Sequence, residues 1–173
     1  MDIKFRKLIE PTAEIAECFS TWENDPNLIP FVRPNKDKAA LETREVVTLK
    51  ELEERLSHHQ IYLIYIEDQV VGEMDFQVDP KHLFKKETGT AWLGIILGEE
   101  TARGKGIGYL SLQYLEEQIK LQGLKRIELG VFEFNKQAIR LYQKLGYEEI
   151  ATIENFTYWQ EKMWPDIRME KYV

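Results

Sequence analysis

The sequence predicts one mixed-sheet α/β domain, and three observations carry that prediction. Residues 61–66 and 70–78 have strand character and are separated by the short turn Glu67-Asp68, so they form an antiparallel hairpin. Further along, strands alternate with amphipathic helices, the order that builds strand–helix–strand units. The chain has 173 residues with no repeat, low-complexity tract or Gly/Ser linker, which suits a single core.

Each element has its own signal. Residues 3–8 read as a first strand. Pro11-Thr12 opens a helix that runs to about residue 23, with Ile15, Phe19 and Trp22 on one face. Asn24-Asp25-Pro26-Asn27 ends it, and Pro30 and Pro34 predict an irregular segment beyond. Thr48 and Glu51 stand at capping-box spacing and start a second helix over residues 48–56, which His58-His59 is expected to close. After the hairpin, residues 90–97 form another strand. Residues 107–121 form a helix with Leu110, Tyr114, Leu115, Gln118 and Ile119 along one face. Residues 126–132 form a strand and 135–145 a helix, with Gly146 as its C-cap. Residues 148–156 and 167–172 pair as a terminal hairpin, where Trp159 and Trp164 pack either a homodimer or the core.

Composition narrows the class. Hydrophobic residues make up 43% and charged residues 31%, a balance that lets the chain fold around a core. The one cysteine, Cys18, permits no internal disulfide and no multi-cysteine zinc site; beside Phe19 it reads as a small buried hydrophobe. His58, His59 and His82 lack metal-ligand spacing, so no metal site and no catalytic histidine are expected. The N-terminal residues carry no apolar signal-peptide core, and no window approaches the ~18 apolar residues of a membrane span. A cytoplasmic protein with no membrane partner is expected. The net charge of −7 disfavours nucleic acid, whose affinity rests on neutralised phosphates, and suits a small cation such as a polyamine or amino sugar.

Residues 92–110 carry the chemistry. An apolar strand feeds Arg103-Gly-Lys-Gly-Ile-Gly108, and the loop runs straight into an amphipathic helix. That order places unpaired N–H groups at a helix N-terminus, where the macrodipole also favours an anion. Gly104, Gly106 and Gly108 carry no Cβ, so phosphate oxygens can reach the main chain. Ile107 follows Gly106 where a P-loop needs a lysine and a hydroxyl, and the Gly-x-Gly-x-Gly lies in mid-chain rather than in a first βαβ unit. Taken alone, the loop remains either an anion site or a flexible turn.

Downstream, Leu129-Gly-Val-Phe-Glu-Phe-Asn-Lys-Gln-Ala-Ile-Arg-Leu-Tyr-Gln-Lys-Leu-Gly-Tyr147 forms a second block. Together the two blocks, over roughly residues 90–147, resemble the GNAT superfamily of N-acetyltransferases, whose signature is Arg/Gln-x-x-Gly-x-Gly/Ala. The resemblance implies a mixed, mostly antiparallel central sheet flanked by helices, a single N-acetyltransferase domain over residues 1–173, and acetyl-coenzyme A as co-substrate. It implies that the backbone of Ile96, Leu97 and Gly98 runs beside the pantetheine arm. The amides of Arg103, Gly104, Lys105, Gly106, Ile107 and Gly108 would bind the pyrophosphate, and Asn135 would contact the arm. The Trp-x-Asn-Asp-Pro stretch followed by Phe31 resembles aminoglycoside 6′-N-acetyltransferases, and the extended C-terminal segment resembles ribosomal-protein and polyamine N-acetyltransferases.

By the same resemblance the acetyl group moves directly to a primary amine of a small molecule, with a protein N-terminus or a non-catalytic acetyl-CoA-binding module as alternatives. Tyr142 falls where the family places a hydroxyl near the coenzyme A sulfur, making it the candidate general acid; a phenol with a reference pKa of about 10 can protonate a leaving thiolate. It lies seven residues after Asn135, on nearly the same helix face. Glu73, Asp75 and Gln77 alternate with Met74, Phe76 and Val78, so the polar set shares one face of its strand. Glu73 and Asp75 are candidates for a general base and for holding a cationic acceptor; Glu99, Glu100 or a water chain are the alternatives. Trp22, Phe31 and Arg33 are candidates for the acceptor wall.

Overall fold

The computed structural model describes all residues, 1–173. Seven strands, β1 (Ile3–Lys7), β2 (His59–Ile66), β3 (Gln69–Val78), β4 (Thr90–Ile96), β5 (Arg126–Phe132), β6 (Glu148–Trp159) and β7 (Lys162–Tyr172), form one sheet in the order β1-β2-β3-β4-β5-β7-β6. Every neighbouring pair is antiparallel except β4 and β5. The six helices are α1 (Ala13–Glu23), α2 (Ile29–Val32), α3 (Lys38–Glu42), α4 (Leu49–Leu56), α5 (Ile107–Leu121) and α6 (Lys136–Lys144). The mixed α/β class and the mostly antiparallel sheet are as expected. No helix is long and apolar enough to cross a membrane.

Alternation along the strands divides the core in two. Met74, Phe76, Leu93, Ile127, Leu129 and Met169 face one way and pack with Ile107, Leu112, Leu115 and Ile119 of α5 and Tyr142 of α6. Ile61 and Leu63 face the other way and pack with Phe19 and Trp22 of α1 and Leu52 of α4. Farther along that second face, buried charged groups enter the core. Arg126, fully buried, binds Glu128 at 2.7 Å and Glu170 at 2.6 Å. Glu128 also accepts from the amides of Phe84 and Lys85, at 2.8 and 3.1 Å. The ion pairs thereby pin the connection between β3 and β4 down onto the sheet.

Several expectations need correction. The stretch after α1 is not irregular throughout. Pro30 lies in the first turn of α2, where a missing N–H costs nothing, and Asp37 accepts from Ala40 N to cap α3. Thr48 caps α4 through Glu51 N at 3.1 Å, but the Glu51 carboxylate turns to Arg55, so only half of the capping box forms. His59 does not end a helix: it begins β2. Leu110 faces solvent, 44% exposed, because the buried stripe of α5 passes through Leu112 instead. The terminal hairpin is longer than predicted, turning at Gln160-Glu161, both with positive φ (49° and 63°). Its irregular pairing around residues 153–157 obscured the alternation. Trp159 and Trp164 pack within the chain on Phe134, with ring centroids 4.3 and 5.4 Å away.

Candidate active site

The one parallel strand pair is also the least paired. β4 and β5 meet only at Thr90–Arg126, Ala91–Ile127 and Trp92–Glu128, then separate. A cleft of about 1020 Å³ opens where they part, running through the split from one face of the sheet to the other. In sheets with parallel strands, ligands collect where neighbouring strands diverge, because backbone edges and helix N-termini converge there.

On the α5 side the loop presents bare amides. Gly104 and Gly106 have φ of 69° and 76°, the left-handed region open to glycine at little cost. Gly106 N-caps α5 with no side chain satisfying the turn. The main-chain N–H groups of residues 104–109 donate to no acceptor in the protein, six donors in a row at the positive end of a 15-residue helix. A Cβ at Gly104 or Gly106 would meet nothing within 4 Å, so a phosphate-sized anion has room against the main chain.

The flanking residues divide by role. Arg103 is committed to the protein: its amide donates to Glu100 O at 3.0 Å, its Nε to Leu97 O at 3.1 Å and its Nη2 to Gly98 O at 2.7 Å. It ties the loop to the end of β4, and its amide is not available to a ligand, which corrects its expected place in the amide row. Gly98 lies under Trp22, where any Cβ would overlap the indole, and does not line the cleft. Lys105 is exposed and also lies outside the cleft wall. Ile96, Leu97, Gly104, Gly106, Ile107, Gly108 and Asn135 all line it. Asn135 Oδ1 accepts from Ala138 N at 3.3 Å and so caps α6, and its amide nitrogen bonds no protein group.

Tyr142 lines the same space from α6, 7% exposed, with a hydroxyl that bonds no protein group. Burial pushes its pKa up to about 12, which keeps it a proton donor at neutral pH.

Across the split, β3 contributes Glu73 and Asp75, which share a face as their spacing predicted. Asp75 Oδ2 lies 2.6 Å from His59 Nδ1, and its other oxygen lies over Gly94, where a Cβ would be 2.8 Å away. Glu73 has no hydrogen-bond or ion-pair partner. Burial first, then the charges of Asp75 and Glu23, hold its carboxyl well above the ordinary range, with Arg55 opposing. Gly130 of β5 plays the part of Gly94 for Asp166 of β7, whose Oδ2 would be 2.6 Å from a Cβ there. Arg168 donates to Asp166 at 2.8 Å and lies 4.8 Å over the Trp92 ring.

Three acceptor-wall candidates fare differently. Phe31 stands at the cleft, 39% exposed. Arg33 borders it, but its guanidinium donates to Ala40 O and Thr43 O and so holds α3. Trp22 is 2% exposed core, its indole N–H donating to Glu99 Oε1 at 2.8 Å, which engages Glu99 structurally. Sequence reasoning missed Trp92, Asp166, Arg168 and the His59–Asp75 contact. The available signal was glycine inside a strand, at Gly94 and Gly130, which marks close approach by another group.

The chain belongs to the Acetyltransferase (GNAT) family, whose model matches residues 14–147. It is similar to the spermine/spermidine N(1)-acetyltransferase of Bacillus subtilis, 35% identical over 86 residues, covering 49% of this chain and 57% of that protein. The match therefore spans little more than half the length of that curated relative. Among solved structures, a ribosomal-protein-alanine N-acetyltransferase from Brucella melitensis superposes with a TM-score of 0.76 at 22% identity, covering 98% of this chain and 99% of the other. A spermidine N-acetyltransferase from Vibrio cholerae in complex with CoA and spermine superposes with a TM-score of 0.75 at 16% identity, covering 98% and 95%. At these identities the two structures establish the shared fold.

Proposed function

We propose that this chain is a cytoplasmic acetyl-CoA-dependent N-acetyltransferase that acetylates a primary amine on a small molecule. The observation that carries the reading is the pairing, through one split in the sheet, of the glycine loop's unengaged amides and a free phenol on one side with an unpartnered carboxyl on the other. The cradle fits the cofactor: backbone donors, positive-φ glycines and open space suit a pyrophosphate, and Ile96, Leu97 and Asn135 border the path of its arm. Acetyl-CoA supplies an activated thioester. Glu73 takes a proton from the acceptor ammonium, leaving a neutral nucleophile, and its raised pKa makes it a stronger base than an ordinary carboxylate. A main-chain N–H of β4 near Ile96 or Leu97 would steady the oxyanion. Tyr142 gives its hydroxyl proton to the departing sulfur. Cys18 is outside the cleft and burial raises its thiol pKa, so it offers no covalent route and transfer is direct.

Spermine and spermidine, the acceptors named in the Bacillus subtilis relative's activity, and aminoglycosides are the cationic acceptors to test first. Thiol release from acetyl-CoA is measured across an amine panel that includes a peptide N-terminus. Tyr142→Phe is expected to lower kcat by about 10²–10⁴ while leaving acetyl-CoA affinity unchanged. Normal turnover in that variant removes Tyr142 from the mechanism. Binding of acetyl-CoA without thiol release for any amine would make the protein a sensor.

A further inference from the structure

The acceptor side of the cleft contains more acid than it leaves free. Four carboxylates line it: Glu23, Glu73, Asp75 and Asp166. Three already have partners. Glu23 takes a two-pronged contact from Arg55 at 2.7 and 2.8 Å, Asp75 lies 2.6 Å from His59, and Asp166 accepts from Arg168 at 2.8 Å. Glu73 alone has no partner. Beside these carboxylates and their partners the lining carries apolar side chains, Leu28, Phe31 and Val32 together with Trp92, Phe132 and Phe156, and Phe31 joins Phe132 and Phe156 through Phe134 in one run of ring contacts.

We propose that the acceptor presents a single ammonium, set against Glu73, on an apolar body that packs against the aromatic cluster of Phe31, Phe132 and Phe156. The inference rests on the acetyltransferase reading and narrows its acceptor. Each additional ammonium would have to lose water beside a carboxylate that already has a partner, and at Glu23 and Asp166 it would meet the positive charge of Arg55 and Arg168. An apolar body instead gains by leaving water against the rings, and an aromatic one gains further from ring geometry. The protein's charge of −7 does not oppose this, because an overall charge describes the whole surface and not this pocket. Two sources share the chemistry: a free monoamine, and a peptide N-terminus whose first side chain is apolar.

Calorimetry on the protein saturated with coenzyme A separates them, using phenethylamine, spermidine and a short peptide beginning with Phe, each at low and high salt. Phenethylamine or the peptide is expected to bind at least about tenfold more tightly than spermidine, with little salt dependence. Phe31→Ala, at an exposed position, should weaken the preferred ligand about tenfold and leave spermidine unchanged. Spermidine binding as tightly as the monoamine, with affinity that collapses in salt, overturns the proposal. So does a coenzyme A-loaded protein that binds none of the three. A protein that fails to bind coenzyme A overturns the parent reading and this inference with it.

Discussion

Glu73 combines the absence of any hydrogen-bond or ion-pair partner with a raised pKa. The larger cause is burial, with Asp75 and Glu23 adding repulsion. Such a carboxyl keeps its proton in the folded chain over a pH range where the unfolded chain has lost it. Stability therefore falls as pH rises from the ordinary value of 4.5 toward the raised one. Glu73→Gln removes that dependence. In urea unfolding between pH 4 and 8, the wild type should lose stability relative to the variant as pH increases, and the variant should be the more stable at pH 8. Its kcat/KM should nonetheless drop by about 10²–10⁴, the contribution of a positioned base. Parallel stability profiles for the two proteins would show that Glu73 titrates as an ordinary surface group.

At the scale of elements, the loop into α5 depends on backbone geometry more than on its side chains. Gly106 has φ of 76° and no neighbour for an added Cβ, so Gly106→Ala tests conformation without a clash. A left-handed alanine costs about 1–2 kcal/mol, visible in urea unfolding. As the amides of residues 104–109 turn away from their common focus, acetyl-CoA affinity should fall by about tenfold. An unchanged affinity would mean that these amides do not hold the cofactor. This loop was legible in the sequence because everything that shapes it is local: strand, glycines and helix follow one another within nineteen residues, 92–110. The bounds of α5 and β5 were legible for the same reason. What escaped depends on distant partners. Arg103 is engaged by carbonyls that only the folded loop brings near, and Trp22 is core because Gly98 leaves space for its ring. His59 is separated from Asp75 by one hairpin register that periodicity cannot specify to the residue.

For the whole molecule, the sheet sets the glycine loop and Tyr142 on one face and Glu73 and Asp75 on the other, and the split between β4 and β5 is where those faces communicate. Strand alternation alone places Met74 and Phe76 in the core beneath α5 while setting Glu73 and Asp75 on the opposite face. The sequence predicted that polar row; that Asp166 and Arg168 join it from β7 follows from sheet order, which no local pattern encodes. A ligand seated in the split would bridge β4, α5 and α6, which all contribute to its lining. It would bind the folded chain alone, so it should stabilise by mass action. At a hundredfold excess over Kd the gain is about 2.7 kcal/mol, which for a domain of this size shifts Tm by roughly 5–10 °C. Coenzyme A should produce that shift in the wild type and in Tyr142→Phe, and less of it in Gly106→Ala. Pantetheine, which has the arm without the pyrophosphate, should give only a small part, because the six free amides remain unsatisfied. A shift from pantetheine equal to that from coenzyme A would move the binding energy to the β4 wall and leave the glycine loop as a turn.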